Sequence, residues 1–451
     1  MADSDQFLLA SPQASAIFEA IRGLPIIDYH SHLDAAQLLA DEPFADLAEV
    51  WLGSDHYKWR LMRANGVPEE LITGAAPGWD KFAAFAQTME KAVGNPVYEW
   101  SHLELRRYFG IGQCLCASHA QEIWDRANAL LATGDFLPRR LVERANVEIA
   151  VTTDDPLDDL GQHRALSAGR TSFRVLPSFR PDAFLDIGNP GFPDYLARGG
   201  VTSLAELVDV LQARMEHFAA LGCRLSDHGL DTFYFAQGEA EAVLRRRVSG
   251  QPLNPGEAAA YQSAILTKML HLEREFGWTS QLHFGAARRQ NLPGTAAVGH
   301  NAGFDSVGTQ ADIVDHIRRL LQSAHADGGL PDLIAYPLNP GDWPMALTLL
   351  GDFQGESRLQ LGAAWWFNDH FAGIHQQLEM VAANGLLGNF TGMLTDSRSL
   401  LSYSRHEYFR RILASHLAGW LGEGRVRQLD RLIETAIDIA YRNPKALFDA
   451  R

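Results

Sequence analysis

The sequence is poor in cysteine, has no excess of basic residues and contains no long apolar run. Cys114, Cys116 and Cys223 are too few and too unevenly spaced for a disulfide framework, which fits a reducing compartment. No run approaches the roughly 18 apolar residues that a membrane span requires. The first residues lack a basic segment followed by a long apolar one, so we expect no export signal and a cytoplasmic location.

The charge balance is acidic, because 39 Lys and Arg oppose 55 Asp and Glu, for a formal net charge of −16. The acidic residues are spread along the chain, so we expect neither a nucleic acid nor an anionic membrane as partner. A small anionic ligand remains compatible if a few arginines create a local positive site. With 451 residues, 46% of them hydrophobic, the chain can bury one very large core or two to three ordinary ones.

Eight short apolar runs that end in polar residues alternate with stretches of helical periodicity. One such stretch predicts a helix that begins after Ser203 and stops at Gly222. The alternation predicts an α/β fold, a (β/α)8 TIM barrel whose active site lies at the carboxyl ends of the strands. The eight strand-forming runs are residues 24–33, 147–156, 173–182, 223–231, 279–286, 332–340, 359–369 and 388–399.

The spacing of the runs also predicts how the chain is divided. About 110 residues separate the first run from the second, and they have helical character, so we expect a helical insertion between strands 1 and 2. The predicted units are an N-terminal helix with the first barrel strand (1–34), the insertion over the barrel mouth (35–146), the remaining barrel (147–400) and closing helices (401–451). The chain has the size and the Trp-rich insertion of a protein that can form a homo-oligomer, although no helix stripe specifies one.

His30 and His32 are two positions apart at the end of the first run, so on a strand both side chains point the same way and can bind one metal ion. In a closed barrel the eighth strand lies beside the first, which makes Asp396 a third ligand. His283, at the end of the fifth run, is a candidate fourth ligand. The competing interpretations are hydrogen-bonded core histidines and, for Asp396 with Arg398, a salt bridge in a turn.

Several other polar and aromatic residues fall near strand ends. Arg180 lies near the end of the third run and Arg288 follows the fifth, and an arginine there matches a carboxylate with two parallel hydrogen bonds. A surface position is the simpler interpretation of each. His56 and Tyr57 lie in the insertion, where packing competes with a catalytic role, and Trp366 belongs to either the core or the wall of a sugar site.

Taken in order, eight sequence blocks make the chain resemble the uronate isomerase (glucuronate isomerase) family of the amidohydrolase superfamily. The blocks are DYHSHL, DHYKWRLMRANG, SFRPD, SDHGLD, LHFGAARRQN, GFDSVG, AWWFND and GMLTDSRS. The resemblance runs from about residue 20 to the end. It implies a reversible conversion of D-glucuronate to D-fructuronate and of D-galacturonate to D-tagaturonate.

The resemblance also implies roles for individual residues. One divalent ion, with zinc as the expected metal, is implied to bind His30, His32 and Asp396. Other residues match active-site positions of the family's motifs: Tyr57, Arg180, Asp396 and Arg398, with His283, His56 and Trp366 carried over beside them. The chemistry needs an arginine to hold the substrate carboxylate, a group that polarises the carbonyl, and a base and an acid that move protons through a cis-enediol. We assign the proton transfer to Asp396 with Tyr57 as its counterpart. The substrate carboxylate is assigned to Arg180 as the main clamp, with Arg398 as a second contact, the carbonyl to the metal or Arg398, and Arg288 to further substrate binding.

Two other classes of protein compete with an isomerase. A binuclear hydrolase of this superfamily needs a bridging lysine or carboxylate on strand four and histidines on strands five and six. Residues 223–231 contain no lysine and residues 332–340 no histidine, so we expect a single metal, which leaves a mononuclear metal-dependent hydrolase as the alternative. A sugar-binding barrel without activity has no need for His30, His32, Asp396 and Tyr57 together. Glucuronate and galacturonate share the reacting carbons, so the sequence does not rank them.

Overall fold

Seven parallel strands form the centre of the part of the chain that the computed structural model describes, residues 6–169 and 171–449. They lie at seven of the eight predicted positions. Three form one sheet and four form a second, each in chain order. The first sheet is β1 (Ile26–Asp28), β2 (Val147–Val151) and β3 (Arg174–Leu176), and the second is β4 (Leu225–Leu230), β5 (Thr279–Phe284), β8 (Asp332–Pro337) and β9 (Leu359–Leu361). Between β5 and β8, β6 (Ala286–Ala287) and β7 (Ser306–Val307) pair antiparallel, which the sequence did not predict.

The eighth run behaves differently from the other seven. Residues 388–399, all of them described, form no regular strand, and the described residues do not form a closed eight-stranded sheet. Gly392 (φ 72°) and Asp396 (φ 46°) adopt the left-handed conformation, which interrupts the extended backbone that a ladder requires. The run nevertheless reaches β1, because Asp396 N–H donates to the His30 carbonyl (3.2 Å) and His32 N–H donates to that of Ser397 (3.0 Å).

Side chains from both sheets meet in one buried cluster. Ile27, Val151 and Leu176 come from the first sheet, while Leu225 and Tyr336 come from the second. Isolated parallel bridges from Asp154 to Phe179 and from Phe179 to Ser226 also connect the two sheets. The structure therefore shows an α/β fold with two parallel sheets that share one interior, and the closed barrel remains a prediction.

Helices occupy most of the connections. The first helix is α1 (Pro12–Ile21), and between β1 and β2 the chain forms α2 (Ala35–Ala40), α3 (Leu47–Leu52), α4 (His56–Ala64), α5 (Gly78–Met89), α6 (Pro96–Phe109), α7 (Ala120–Leu131) and α8 (Pro138–Arg144). Short 3-10 turns cover Glu69–Leu71, Ala117–His119, Gly134–Phe136, Pro340–Asp342, Trp366–Asn368, Leu387–Asn389 and Leu400–Tyr403. The stretch between β1 and β2 is therefore helical, as predicted.

The later helices alternate with strands and then close the chain. They are α9 (Gly161–Ala168), α10 (Asp182–Leu185), α11 (Phe192–Arg198), α12 (Leu204–Ala220), α13 (Ala240–Val248), α14 (Pro255–Glu275), α15 (Leu292–Val298), α16 (Ile313–Ala326), α17 (Trp343–Gly351), α18 (Phe371–Asn384), α19 (Ser404–Gly422), α20 (Leu429–Ile437), a π-helical turn (Asp438–Arg442) and α21 (Asn443–Ala446). Helix α12 begins as predicted, since the Ser203 side chain accepts from Glu206 N–H, and Gly222 (φ 90°) follows its end. None of the described helices is both long and apolar enough to cross a membrane.

A largely buried carboxyl group, that of Asp154, lies just beyond β2. Asp154 Oδ2 accepts a hydrogen bond from Thr152 Oγ1 (2.7 Å) and lies 3.3 Å from the backbone nitrogen of Ser178. Burial, only partly offset by these hydrogen bonds, raises the pKa of Asp154 from 3.8 to about 7. A carboxyl group that binds its proton more tightly in the folded than in the unfolded state stabilises the fold at low pH. That contribution is fully present below pH 3.8 and is lost as the pH rises through about 7.

The substitution Asp154→Asn is therefore expected to change the pH dependence of stability. Asparagine is uncharged at every pH, so the variant should gain about 2–4 kcal/mol relative to the wild type between pH 4 and pH 8. Urea unfolding of both proteins at pH 4, 6 and 8 measures this difference. A difference that stays constant over that range would show that Asp154 does not titrate in the folded protein as described.

Candidate active site

Two histidines and one aspartate meet where β1 ends. His30 Nε2 and His32 Nε2 lie 3.2 Å and 3.1 Å from the same atom, Asp396 Oδ1. The backbone contacts of the eighth run with β1 bring Asp396 here. Its left-handed φ is uncommon for a residue other than glycine, and such conformations are often found at functional sites. The three residues predicted as metal ligands are thus close together.

The donor set of this group fits a divalent ion. Two imidazole nitrogens and one carboxylate oxygen are ligands that zinc and similar transition metals accept, and the three residues form a group able to hold an ion. Burial favours the neutral carboxyl form of Asp396, but hydrogen bonds from His30 and His32 outweigh it and hold its pKa well below the ordinary range. Burial lowers the pKa of His32 to about 4. A charged carboxylate and a neutral imidazole are the forms that bind metal.

His283 does not join these three residues. It lies on β5, where its Nδ1 is 2.7 Å from Asp227 Oδ1 and its ring stacks on Tyr336 at 4.2 Å between centroids. Its ring centroid is 4.7 Å from that of His30, and its Nε2 is buried with no hydrogen-bond partner among the described residues. His30, Asp227 and His283 form a second group of potential ligands, distinct from the predicted one.

Asp227, on β4, is fully buried and was not among the predicted site residues. Its signal in the sequence was a carboxylate within the predicted strand segment LSDHGL, because a buried charge is rarely left without a partner. Burial raises the pKa of this carboxyl group, but Arg180, His30 and His283 outweigh burial and hold the pKa well below its ordinary range. Arg180 Nη1 donates to Asp227 Oδ2 (2.8 Å), and Arg180 Nε donates to Asp182 Oδ2 (2.7 Å). Two carboxylates therefore already accept hydrogen bonds from the Arg180 guanidinium, which leaves fewer of its N–H groups for a substrate carboxylate.

A cavity leads from the protein surface to the histidines. Its outer part has a volume of about 710 Å³, and its inner part, of about 40 Å³, adjoins His30 and Asp396. Arg180, Arg288 and Arg398 line both parts. Arg288 Nε donates to Asp231 Oδ1 (3.1 Å), and its guanidinium lies 4.7 Å from the centroid of Trp366. Arg398 makes no hydrogen bond or ion pair with any described residue, so its charge is available to an anion.

The insertion supplies His56 and Tyr57, both on the first turn of α4. His56 lines the inner cavity, and its ring centroid is 5.8 Å from that of Trp366. Tyr57 does not line either part of the cavity. Its hydroxyl is buried without a hydrogen-bond partner among the described residues, and burial raises its pKa. The Arg405 guanidinium lies 5.5 Å from the Tyr57 ring centroid. Of the predicted site residues, Tyr57 is therefore the one that the structure leaves outside the cavity lining.

These features together define an α/β enzyme with a candidate metal centre and a cationic cavity suited to a small anion. Comparisons with known proteins specify the family. A profile described as Glucuronate isomerase matches residues 1–448. The chain is 44% identical to the uronate isomerase of Lactococcus lactis over 98% of its length and 96% of that protein's. It is also 42% identical to that of Latilactobacillus sakei, over 99% and 98%.

Solved structures agree with the sequence matches. The uronate isomerase of Thermotoga maritima superimposes with a TM-score of 0.94 at 33% identity, over 100% of both chains. The glucuronate isomerase of Caulobacter crescentus superimposes with a TM-score of 0.92 at 27% identity, over 100% of this chain and 98% of that one. The chain belongs to the glucuronate isomerase family. It is an isomerase that acts on a small-molecule substrate.

Proposed function

We propose that the protein interconverts D-glucuronate with D-fructuronate and D-galacturonate with D-tagaturonate through a cis-enediol, in hexuronate catabolism. The observation that carries this proposal is that one cavity contains both the His30, His32 and Asp396 group and Arg398, which pairs with no other residue in the described part of the chain. A sugar acid needs both features, because its carboxylate requires a cation while its C1–C2 unit requires proton transfer.

The substrate carboxylate is held chiefly by Arg398. Its guanidinium has no partner among the described residues, whereas Arg180 already donates to Asp182 and Asp227. Arg288 adds positive charge, and the Trp366 ring beneath it offers a flat apolar wall. His56, on the same side as Trp366, completes the inner wall as a hydrogen-bonding group.

Asp396 transfers the proton at C2 or at the adjacent hydroxyl. It is ionised, and it lies between the two histidines at the inner end of the cavity. Tyr57 is the proposed counterpart that returns a proton, because its hydroxyl has no partner among the described residues. Burial, together with the nearby charge of Asp396, raises its pKa and keeps the hydroxyl protonated. This role requires the Tyr57 hydroxyl to reach the substrate once the cavity is filled.

His30, His32 and Asp396 would hold the divalent ion, which we propose is zinc. When bound, the ion supplies a Lewis acid that polarises a substrate oxygen. The same residues are also compatible with a mononuclear hydrolase, in which the ion activates water. The membership of the whole chain in an isomerase family favours isomerisation over hydrolysis.

Incubation of the purified protein with each aldose tests this function. Chromatographic separation should show fructuronate from glucuronate and tagaturonate from galacturonate, and a panel of esters, lactones and amides should remain intact. Hydrolysis of a panel member without any ketose would instead support the hydrolase.

Removal of the metal is expected to lower both activity and thermal stability. His30 and His32, which follow β1, and Asp396 of the eighth run would hold the ion together, so the ion would bind the folded chain selectively and raise its melting temperature. Dialysis against a chelator, followed by metal analysis, differential scanning calorimetry and the ketose assay, measures both effects. Addition of Zn²⁺, Mn²⁺ or Co²⁺ should restore them, whereas full activity in demonstrably metal-free protein would exclude a catalytic ion.

Four further features are proposed on the same basis. The backbone contacts of residues 388–399 with β1, and Leu394 in the shared interior, support an eight-stranded barrel closed by this irregular segment. We retain the division into 1–34, 35–146, 147–400 and 401–451, with the insertion covering the barrel mouth. A cytoplasmic location suits an enzyme of sugar-acid catabolism with free cysteines. Assembly into a homo-oligomer is proposed from the size of the chain and its Trp-rich insertion helices.

A further inference from the structure

Asp227 and His228 are adjacent on β4, so their side chains lie on opposite faces of the strand. Each forms a buried histidine–carboxylate pair with a residue of another element. Asp227 faces β5 and contacts His283, while His228 faces α14, where its Nε2 lies 2.7 Å from Glu273 Oε1. All four side chains are buried. Only the inner pair adjoins the cavity, because His283 lines its inner part. The outer pair therefore serves as a structural control for the inner pair, which lies beside the cavity.

The inner pair determines which nitrogen of His283 carries the proton. Asp227 is ionised, since Arg180 Nη1 lies 2.8 Å from its Oδ2, and a carboxylate accepts but does not donate hydrogen bonds. The proton of the neutral imidazole must therefore lie on Nδ1, 2.7 Å from Asp227 Oδ1. Nε2 is left as an acceptor, buried and without a partner among the described residues.

The ring of His283 is also fixed in place. It stacks on Tyr336 with 4.2 Å between centroids and 4° between planes, and it meets Trp365 edge-on at 4.8 Å. With Nδ1 bonded to Asp227, the ring has little freedom to turn. A rigid acceptor at the wall of a cavity suits a hydroxyl-rich ligand, because a substrate hydroxyl can donate to it.

We propose that Arg180 and Asp227 are positioning residues, which hold His283 so that its unprotonated Nε2 accepts a hydrogen bond from a substrate hydroxyl beside Asp396. This inference rests on the proposed function for the identity of the substrate. It gives Arg180 a role that differs from the predicted carboxylate clamp, since Arg180 acts through Asp227.

A second metal ion on His30, Asp227 and His283 is the competing use of the same atoms. The Arg180 guanidinium argues against it, because a positive charge 2.8 Å from the Asp227 carboxylate repels a dication at that site. The proposal therefore expects one ion per chain, held by the first group.

Nitrogen-15 NMR of histidine-labelled protein tests the tautomer without reference to activity. The His283 signals, identified by their loss in His283→Gln, should show a protonated Nδ1 and an unprotonated Nε2 in the wild type. A proton on Nε2 would overturn the proposal. In Asp227→Asn the side-chain amide can donate to Nδ1, so the proton should move to Nε2.

Kinetics of the same variant measure the consequence. Asp227→Asn should lower kcat for ketose formation by about 100-fold, with KM and bound metal close to wild type. The matched control His228→Gln removes the outer pair and should lower stability while leaving kcat unchanged. If Asp227→Asn does not fold, Arg180→Lys is tested instead. Its kcat should fall less, because lysine keeps the positive charge but lacks the planar set of N–H donors of a guanidinium.

The outcomes separate this proposal from the proposed function. No ketose from the wild type would contradict the function, and the tautomer measurement would still decide the state of His283. Ketose formation by the wild type and Asp227→Asn at equal rates would overturn the positioning role alone. A second ion in the wild type that is lost in Asp227→Asn would also overturn it, in favour of a second metal site.

Discussion

Asp396→Asn is expected to lower kcat for ketose formation by about three orders of magnitude. A carboxamide cannot accept the proton that the isomerisation must move. It is also a weaker metal ligand than the carboxylate, whose Oδ1 lies 3.2 Å and 3.1 Å from His30 Nε2 and His32 Nε2. Both losses act on the same step, which makes this the largest single effect that we predict.

Steady-state kinetics and metal analysis of Asp396→Asn test this expectation at saturating metal, so that weaker binding of the ion does not account for the loss. Asp154→Asn is the matched control, since it makes the same change at a largely buried aspartate that follows a strand and lies outside the cavity lining. The control should retain near-wild-type turnover. Near-wild-type turnover of Asp396→Asn itself would remove Asp396 from proton transfer.

Arg398→Met is expected to lower kcat/KM for glucuronate by about 100-fold, which corresponds to about 3 kcal/mol. Arg398 makes no hydrogen bond or ion pair with any described residue, so its replacement leaves none of these residues without a partner. The loss should therefore come from the missing contact with the substrate carboxylate, and it should raise KM more than it lowers kcat. Circular dichroism and thermal unfolding should show an intact fold.

Two controls isolate the carboxylate contact. Arg398→Lys retains the charge but not the two parallel hydrogen bonds, so it should lose part of the effect. Glucose, which lacks the carboxylate, should be a poor substrate for the wild type and for Arg398→Met alike. A loss of equal size with glucose and glucuronate would assign Arg398 to the reacting carbonyl instead of the carboxylate.

Much of the fold follows from local patterns. Seven of the eight predicted runs contain strands, in which apolar residues lead to a polar end. Helix α12 begins directly after its N-cap Ser203 and ends before Gly222, as the capping residues predict. The grouping of His30, His32 and Asp396 could also be predicted. Two residues at spacing two share a face of a strand, and the chain order of a barrel places the eighth run beside the first.

Other features depend on contacts that no local pattern contains. The eighth run contains apolar residues, yet the left-handed Gly392 and Asp396 prevent a regular strand. A Cβ atom on Gly392 would clash with the Ile439 carbonyl oxygen, which is a tertiary constraint from the C-terminal helices. Likewise, Arg180 donates hydrogen bonds to Asp182 and to Asp227, which lie on different elements. No local pattern shows that these carboxylates already bind its guanidinium.

If this cavity isomerises a uronate, the purified protein should convert D-glucuronate in deuterium oxide. Proton NMR should show fructuronate accumulating while the glucuronate C2–H signal decays, with deuterium entering at the reacting carbons as the enediol exchanges with solvent. The same sample should contain no product of ester, lactone or amide hydrolysis. Persistent glucuronate with an undiminished C2–H signal, in metal-loaded and folded protein, would contradict the account.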